Sequence, residues 1–436
     1  MKFPAGDLML DSLIQKNKYK RVLLIDPAFP VANKSRNHKD LLPVGLLKIS
    51  AYLKEKYEIK TKLVRLNNKH NFDNEILDFN PDFVMITSVF TYWFNEVKDA
   101  VDYSKKILPK IPVMVGGILP SLDATYCDNN LDCDYVFPGL VKGAEHIVPD
   151  YSILENNGED INFQIVHASR GCKRQCGFCG VYKIEPERDF VGSIEKELCR
   201  KNLVFYDNNL LDNPNIENLL LELIRLREEK KITRCESQSG FDGRILRRKP
   251  KLADMLKAAN FKDPKIAWDG HPRAYEKREE EINILKSAGY APKEIAVFMI
   301  YNHDDLDYNQ LEEKRAMCFN WGVQISDCRY RPLDWYYDGY NPHARKPQTD
   351  EEYYISPLWS DEEVRQFRRN VRRHNICIRH DMKYHSYKAE RKQISKELSL
   401  ECREWDYIKA KKILKDAWDP SVPYELHKMD NQSKLC

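Results

Sequence analysis

Phe163-Gln-Ile-Val-His-Ala-Ser-Arg-Gly-Cys172-Lys-Arg-Gln-Cys176-Gly-Phe-Cys179 joins a short apolar run directly to a loop carrying three cysteines. The run, rich in β-branched residues and bounded by glycine, reads as a strand over Phe163–Ala168. The three thiols fall within eight residues, and Gly171, Gly177 and Gly180 let the backbone bend closely around a bound object. Thiolates spaced in this way wrap one face of a four-iron four-sulfur cubane and leave the fourth iron without a protein ligand. An open position suits catalysis, whereas electron-transfer clusters are usually closed by a fourth cysteine. A structural zinc site is the rival reading, but zinc wants four tetrahedral ligands, usually as two close pairs. One short pair is present here. His167, on the strand, is either a further ligand or a satisfied strand histidine.

Downstream, apolar runs recur at Leu203–Tyr206, Thr233–Gln238, Lys265–Trp268, Ile295–Tyr301 and Val323–Tyr330. Helical patterns lie between most of them, notably Ile216–Lys230 and Tyr275–Ala288. Six βα repeats over about 170 residues predict a partial (β/α)6 TIM-type barrel spanning 161–335, with its active face at the C-terminal strand ends. Upstream, Arg21–Asp26, Ile59–Val64, Phe83–Thr87, Val113–Val115 and Asp134–Phe137 alternate with helical stretches at Val44–Tyr57, near Asn74–Leu77 and at Glu96–Leu108. This predicts an N-terminal doubly wound parallel-sheet domain, Rossmann-like, over 21–142, after a lead-in at 1–20. Its ligand rim would be Asp26–Pro30, Thr87–Tyr92 and Gly116–Ser121. Residues 143–160 are polar and read as a linker. Residues 336–436 read as an aromatic loop followed by a charged helical C-terminal extension, Ser360–His374 and about Lys388–Trp418.

With Cys-x3-Cys-x2-Cys, an aromatic before the last cysteine, and a position after the first strand of such a barrel, the chain resembles the radical S-adenosylmethionine superfamily over about residues 160–335. The resemblance implies that S-adenosylmethionine chelates the open iron of a 4Fe-4S cluster held by Cys172, Cys176 and Cys179. Reductive cleavage would then yield methionine and a 5′-deoxyadenosyl radical, with an external reductant such as flavodoxin or ferredoxin supplying the electron. Phe178 would lie against the adenine. Asp207 or Asn208, ending strand two, would hold the methionine amino group, or Asp207 would cap the helix starting near Asn215. Gln238, Asp242 and Arg244 are candidates for ribose and carboxylate contacts. Asp269, His271, Asn302 and His303 share the predicted rim.

Residues 20–140 resemble the cobalamin-binding domain preceding the radical domain in one branch of that superfamily. The resemblance is carried by Val22-Leu-Leu-Ile-Asp-Pro27, Leu42-Pro-Val-Gly45-Leu, Thr87-Ser88, Val115-Gly-Gly117 and Asp134-Tyr-Val-Phe-Pro-Gly139. It implies cobalamin as a third cofactor and, where cobalamin binds, methyl transfer to an unreactive carbon; without it, ring formation, rearrangement or another modification started by hydrogen abstraction is expected instead. The Asp-x-His-x-x-Gly loop of many cobalamin proteins is missing after Asp26, and Gly139-Leu-Val-Lys replaces the branch's Gly-Glu. The other reading is a domain that shapes the substrate channel without binding cobalamin.

Composition narrows the field without choosing a substrate. With 42% hydrophobic and 31% charged residues, the chain is globular rather than disordered. No apolar run approaches a membrane span and no signal peptide is evident, so a cytoplasmic protein is expected. Its 12 cysteines then point to reduced thiols and metal ligation rather than disulfides. Seventy Lys plus Arg against 67 Asp plus Glu leave a charge of +3, too balanced to imply nucleic-acid binding by itself. The substrate is therefore a small molecule, a peptide or a nucleic acid. One segment, Val364–His374, places Val364, Phe367 and Val371 on one helical face with Arg365, Arg368, Arg369, Arg372 and Arg373 mostly outside it. Its outer face would contact phosphates in a non-catalytic iron–sulfur or zinc protein that binds nucleic acid, or would simply be solvated. Trp335, Tyr336, Tyr337, Tyr340, Tyr353 and Tyr354 would stack on bases or close the barrel's open side.

Overall fold

The computed structural model describes residues 7–30, 41–66 and 72–382. It divides into two compact units, Met1–Ser239 with Pro332–Gly339, and Gly240–Arg331 with the chain from Tyr340 on.

After α1 (Asp7–Asn17), the first unit builds a five-stranded sheet from β1 (Arg21–Asp26), β2 (Lys60–Arg65), β3 (Phe83–Ser88), β4 (Val113–Gly117) and β5 (Tyr135–Phe137). The strand order is β2-β1-β3-β4-β5 and every pairing is parallel. Five of the six β1 residues are buried, as expected of a central strand covered on both faces. Val22 and Leu24 pack on one face with Leu46, Leu47 and Leu53 of α2 (Val44–Tyr57). Leu23 and Ile25 face the opposite layer, where α3 (Asp73–Phe79) supplies Ile76 and α4 (Phe94–Ile107) supplies Val97 and Val101. Two short helices, α5 (Ile118–Leu122) and α6 (Ala124–Asn130), join β4 to β5.

The polar stretch expected as a linker is packed into this domain. Ala144, Tyr151, Ile153 and Leu154 join the core beneath α2, the last two from α7 (Ser152–Glu155). Asp150 is anchored by Ser50 Oγ at 2.6 Å and Lys54 Nζ at 2.5 Å. Next come β6 (Phe163–Val166), an antiparallel pair of two-residue strands, β7 (Ser169–Arg170) and β8 (Asp189–Phe190), and α8 (Val181–Ile184) lying between that pair. β9 (Asn202–Phe205) runs parallel to β6, α9 (Ile216–Glu228) follows it, and β10 (Arg234–Ser237) runs parallel to β9. From the late aromatic loop, Tyr336 stacks on Tyr126 of α6 with centroids 3.5 Å apart and donates to Asp123 at 2.6 Å.

The second unit contains α10 (Gly243–Arg248), α11 (Lys251–Ala258), the short β11 (Phe261–Lys262), β12 (Lys265–Ala267), α12 (Tyr275–Ser287), β13 (Ala296–Tyr301), α13 (Tyr308–Trp321) and β14 (Gln324–Arg329). β12, β13 and β14 pair in parallel. The six long strands expected of the second series thus form as two parallel sets of three, one in each unit.

A 19-residue helix, α14 (Asp361–Arg379), starts from a Ser360/Glu363 capping box and packs on α13 and β14. Asn375 accepts from the Ile325 backbone N–H at 2.8 Å and donates to the Ile325 carbonyl at 2.7 Å. The arginines differ from the expected outward set. Arg365 and Arg373 are buried, Arg368 and Arg369 are half-buried, and Arg372 is exposed. The apolar stripe is not the helix's sole contact, because the preceding aromatic segment wraps its flank. Arg365 donates to Asp361 (2.9 Å), the Ala344 carbonyl (3.0 Å) and Gln348 (3.0 Å), and Arg368 stands 5.8 Å above the Tyr340 ring. The helix expected at Lys388–Trp418 lies outside the described residues. No helix among those described is long and apolar enough to cross a membrane.

Candidate functional site

The cysteine loop leaves β6 and is closed at its base. β7 and β8 pair across it, Asn213 bridges the Ala168 and Val191 carbonyls at 2.9 and 3.0 Å, and Val191 N–H donates to Ala168 at 3.0 Å. Gly171 sits at φ +71°, and a Cβ there would stand 2.5 Å from the Glu187 carbonyl, so the two arms touch backbone to backbone and only glycine fits. Asp212, from the turn after β9, takes Lys173 from one arm and Arg188 (3.2 Å) from the other. Glu185 accepts the Gly171 N–H at 2.7 Å, Arg170 at 3.2 Å and the Asn208 amide at 2.6 Å.

Cys172, Cys176 and Cys179 are half-buried on this loop. Two N–H donors reach the Cys172 sulfur, the Arg174 backbone at 3.4 Å and the Asn209 amide at 3.8 Å. Both donors hold the sulfur in place, one from its own loop and one from the turn after β9. Cys179 N–H closes a turn onto the Cys176 carbonyl at 3.0 Å. Among the described residues, no three His, Cys, Asp or Glu side chains stand together as a ligand set for a single metal ion. The donor chemistry nevertheless fits an iron–sulfur cluster, since three soft thiols share one loop and a Cβ built on Gly177 would meet open space. Phe178 is half-buried beside them.

Asp207 does not cap the helix near Asn215. It is 1% exposed and accepts from Ser169 Oγ at 2.7 Å, which ties the end of β9 to β7 beneath the loop. Its second carboxylate oxygen is buried without a partner. Burial pushes its pKa up to about 6, against the pull of Ser169, the backbone at Ala168 and Ser169, and Arg170. Asn208 is taken by Glu185. Gln238 donates through its backbone N–H to the Phe205 carbonyl (2.9 Å) and through its side chain to Glu236 (3.3 Å). His167 stands in no group of three metal-binding side chains among the described residues. Its Nδ1 is buried without a partner, and burial with Arg170 and Lys48 nearby holds its pKa well below the usual range.

In the second unit, Asp242 caps α10 by accepting the Arg244 N–H at 3.1 Å, and it also takes the Arg244 guanidinium at 2.9 Å. His271 caps the turn before α12 and contacts Gln310 at 2.9 Å. Asn302 holds the 354–356 backbone, donating to Tyr354 O (2.8 Å) and accepting from Ser356 N–H (3.0 Å). His303 packs edge-on against Tyr330, centroids 4.5 Å apart. Electrostatic contacts link Asp269 to Lys314, Arg278, Arg244 and His303, and its pKa is raised by burial.

A second candidate site lies on the first sheet, at the C-terminal ends of β3, β4 and β5. Ser88 Oγ donates to the Gly116 carbonyl at 2.7 Å, Ser121 Oγ donates to Gly117 at 2.6 Å and accepts the Gly139 N–H at 2.8 Å. Gly117 has φ +100°, and a Cβ there would stand 2.3 Å from the Ser88 carbonyl. Phe29 and Trp93 stack beside this rim at 5.2 Å, with Phe90 and Tyr92 against Trp93. The rim is made of small residues, with Ser88 buried and Gly116, Gly117, Ser121 and Gly139 half-buried. The Asp26–Arg65 pair (2.8 Å), extended to Glu159 (2.6 Å), closes the β1 end of the rim.

Glu145, Arg170, Glu185, Asn209 and Asp212 escaped the sequence reading. Charged residues in a polar loop carry no periodicity. Asn209 alone had a signal, its place in the polar run ending a strand.

No curated protein matches this chain. Two solved structures of the carboxyl transferase domain of Rhizobium etli pyruvate carboxylase, one with pyruvate, align at 12% identity and a TM-score of 0.21. Each alignment covers 92% of this chain and 59% of that domain, and a likeness so slight carries no argument. The family comparison bears on the first sheet and its rim: residues 35–146 match the B12 binding domain.

Proposed function

We propose that this chain is a radical S-adenosylmethionine enzyme carrying a cobalamin domain, and that it transfers a methyl group to an unreactive carbon. The observation that carries the reading is the cysteine loop, with three thiols on one glycine-bearing loop at the exit of the first strand and N–H donors at the Cys172 sulfur. The B12 binding domain match supports the cobalamin half. In this reading the two sets of three parallel strands belong to one partial (β/α)6 barrel, and the protein works in the cytoplasm with an external reductant.

Cys172, Cys176 and Cys179 hold the 4Fe-4S cluster, and Phe178 flanks the adenine. Asn209 and the Arg174 N–H orient the Cys172 sulfur. Asp207 fixes β9 beneath the loop, and Asn208 is bonded to Glu185 of the loop. Ser88, Gly116, Gly117 and Ser121 receive cobalamin at the sheet rim. When bound, the reduced cluster supplies the electron that splits S-adenosylmethionine, and cobalamin supplies the methyl carrier. The inward arginines of α14 leave little support for the rival reading of a nucleic-acid-binding helix.

Anaerobic reconstitution followed by S-adenosylmethionine and dithionite should give 5′-deoxyadenosine. A fully loaded cluster that forms none overturns the reading. Protein purified from cobalamin-fed cells should keep a corrin absorbance after iron removal, and a colourless chain overturns the cobalamin half.

A further inference from the structure

The cysteine loop is wired to the first domain by alternating charges. Lys48 of α2, with its side chain 7% exposed, donates to the Glu145 carbonyl at 2.5 Å and stands 3.7 Å from its carboxylate. That carboxylate receives Arg170 Nε at 2.7 Å and Nη2 at 2.6 Å. Arg170 continues to Glu185, whose other oxygen holds the Gly171 N–H and Asn208. Gly171 immediately precedes Cys172, and Asn208 immediately precedes the Asn209 that touches the Cys172 sulfur. Side chains at the Glu145, Arg170 and Glu185 links are 13%, 18% and 10% exposed, so water screens them little.

We infer that Glu185 and Arg170 are positioning residues that set Cys172 for cluster assembly, and that Glu145 and Lys48 extend this control to α2 of the B12 binding domain. The inference rests on the function proposed above. Removing Glu185 frees the Gly171 N–H and Asn208 together and leaves Arg170 with one carboxylate. Each step further from Cys172 removes less of this restraint, so the effects should decline from Glu185 through Arg170 and Glu145 to Lys48.

Reconstituted full-length chain should lose at least half its iron and sulfide in Glu185→Ala. Arg170→Met should lose less, Glu145→Gln less again and Lys48→Met least. The reduced cluster of the partly loaded variants should show altered electron paramagnetic resonance g-values, which a change in overall stability alone would not move. Glu185→Gln, which keeps the shape and an acceptor oxygen, should fold as the parent does and load between parent and Glu185→Ala. Full loading with parental g-values in both Glu185 variants overturns the inference. A parent chain that takes up no iron would instead sink the proposed function. The inference would then be read from the metal-free chain, where Cys172 alkylation by iodoacetamide, followed by mass spectrometry, should quicken at least threefold in Glu185→Gln. An unchanged rate overturns it.

Discussion

The sheet rim and the cysteine loop are built from opposite materials. At the rim, Ser88, Gly116, Gly117, Ser121 and Gly139 make a surface of backbone and hydroxyls whose shape follows from the parallel sheet. At the loop, the polypeptide has little regular structure, and its form is imposed by side chains, Glu185 from within the segment and Asp207, Asp212 and Asn213 reaching in from beyond β9. A backbone-shaped site fails when it is filled, whereas a side-chain-shaped site fails when a reaching group is removed.

The largest effect should come from Cys172→Ala, which is expected to reduce bound iron and the absorbance near 400 nm to background while leaving corrin binding at the rim intact. Loss of both would show the sites to be one. Gly117→Val should cost about 3 kcal/mol or more in urea unfolding, because a Cβ would strike the Ser88 carbonyl and the residue would have to hold a positive φ. It should also weaken hydroxocobalamin binding, read by absorbance titration, with iron loading unaffected.

Asp207→Asn tests the loop's support through pH. The folded carboxyl titrates near 6 and the unfolded one near 3.8, so the folded chain holds the proton more tightly. The charge therefore destabilises the fold fully above pH 6, and the penalty is relieved as pH falls through 6 toward 3.8. A shift of roughly 2 units corresponds to about 3 kcal/mol in full. In the cluster-free chain, the stability of the variant relative to the parent should decline by about 2 kcal/mol between pH 7.5 and 4.5. A difference constant across that range would place the carboxyl in a wetter setting. The smallest effect is expected from Ser88→Ala, about 1.5 kcal/mol for the bond donated to the Gly116 carbonyl and the one accepted from the Leu119 N–H, again by urea unfolding. A much larger loss would mean that hydroxyls rather than backbone hold the rim.

The same difference in material governs what was legible in the sequence. Strands buried on both faces announce themselves as continuous apolar runs, so Arg21–Asp26 was read to its exact ends, and Phe163–Ala168 to within two residues of β6. The cysteines were legible because thiol spacing is chemical information. The β7–β8 pair, two residues on each side, is too short to show alternation. Glu185 and Arg170 meet across 15 positions of chain, a separation that matches no helical or strand repeat. The arginines of α14 were misplaced because the sequence showed the helix's apolar stripe but not the second wall made by Tyr340, Ala344 and Gln348.

The β7–β8 pinch has a consequence for how such a loop is closed. Paired antiparallel residues hold their Cα atoms about 5 Å apart, so the segment from Ser169 to Phe190 enters and leaves through one narrow gate. Its ends impose almost no span on the chain that hosts it. The segment is therefore an insertion between the parallel strands β6 and β9, and what shuts it, Asp212 and Asn213, comes from beyond β9 rather than from the insertion itself.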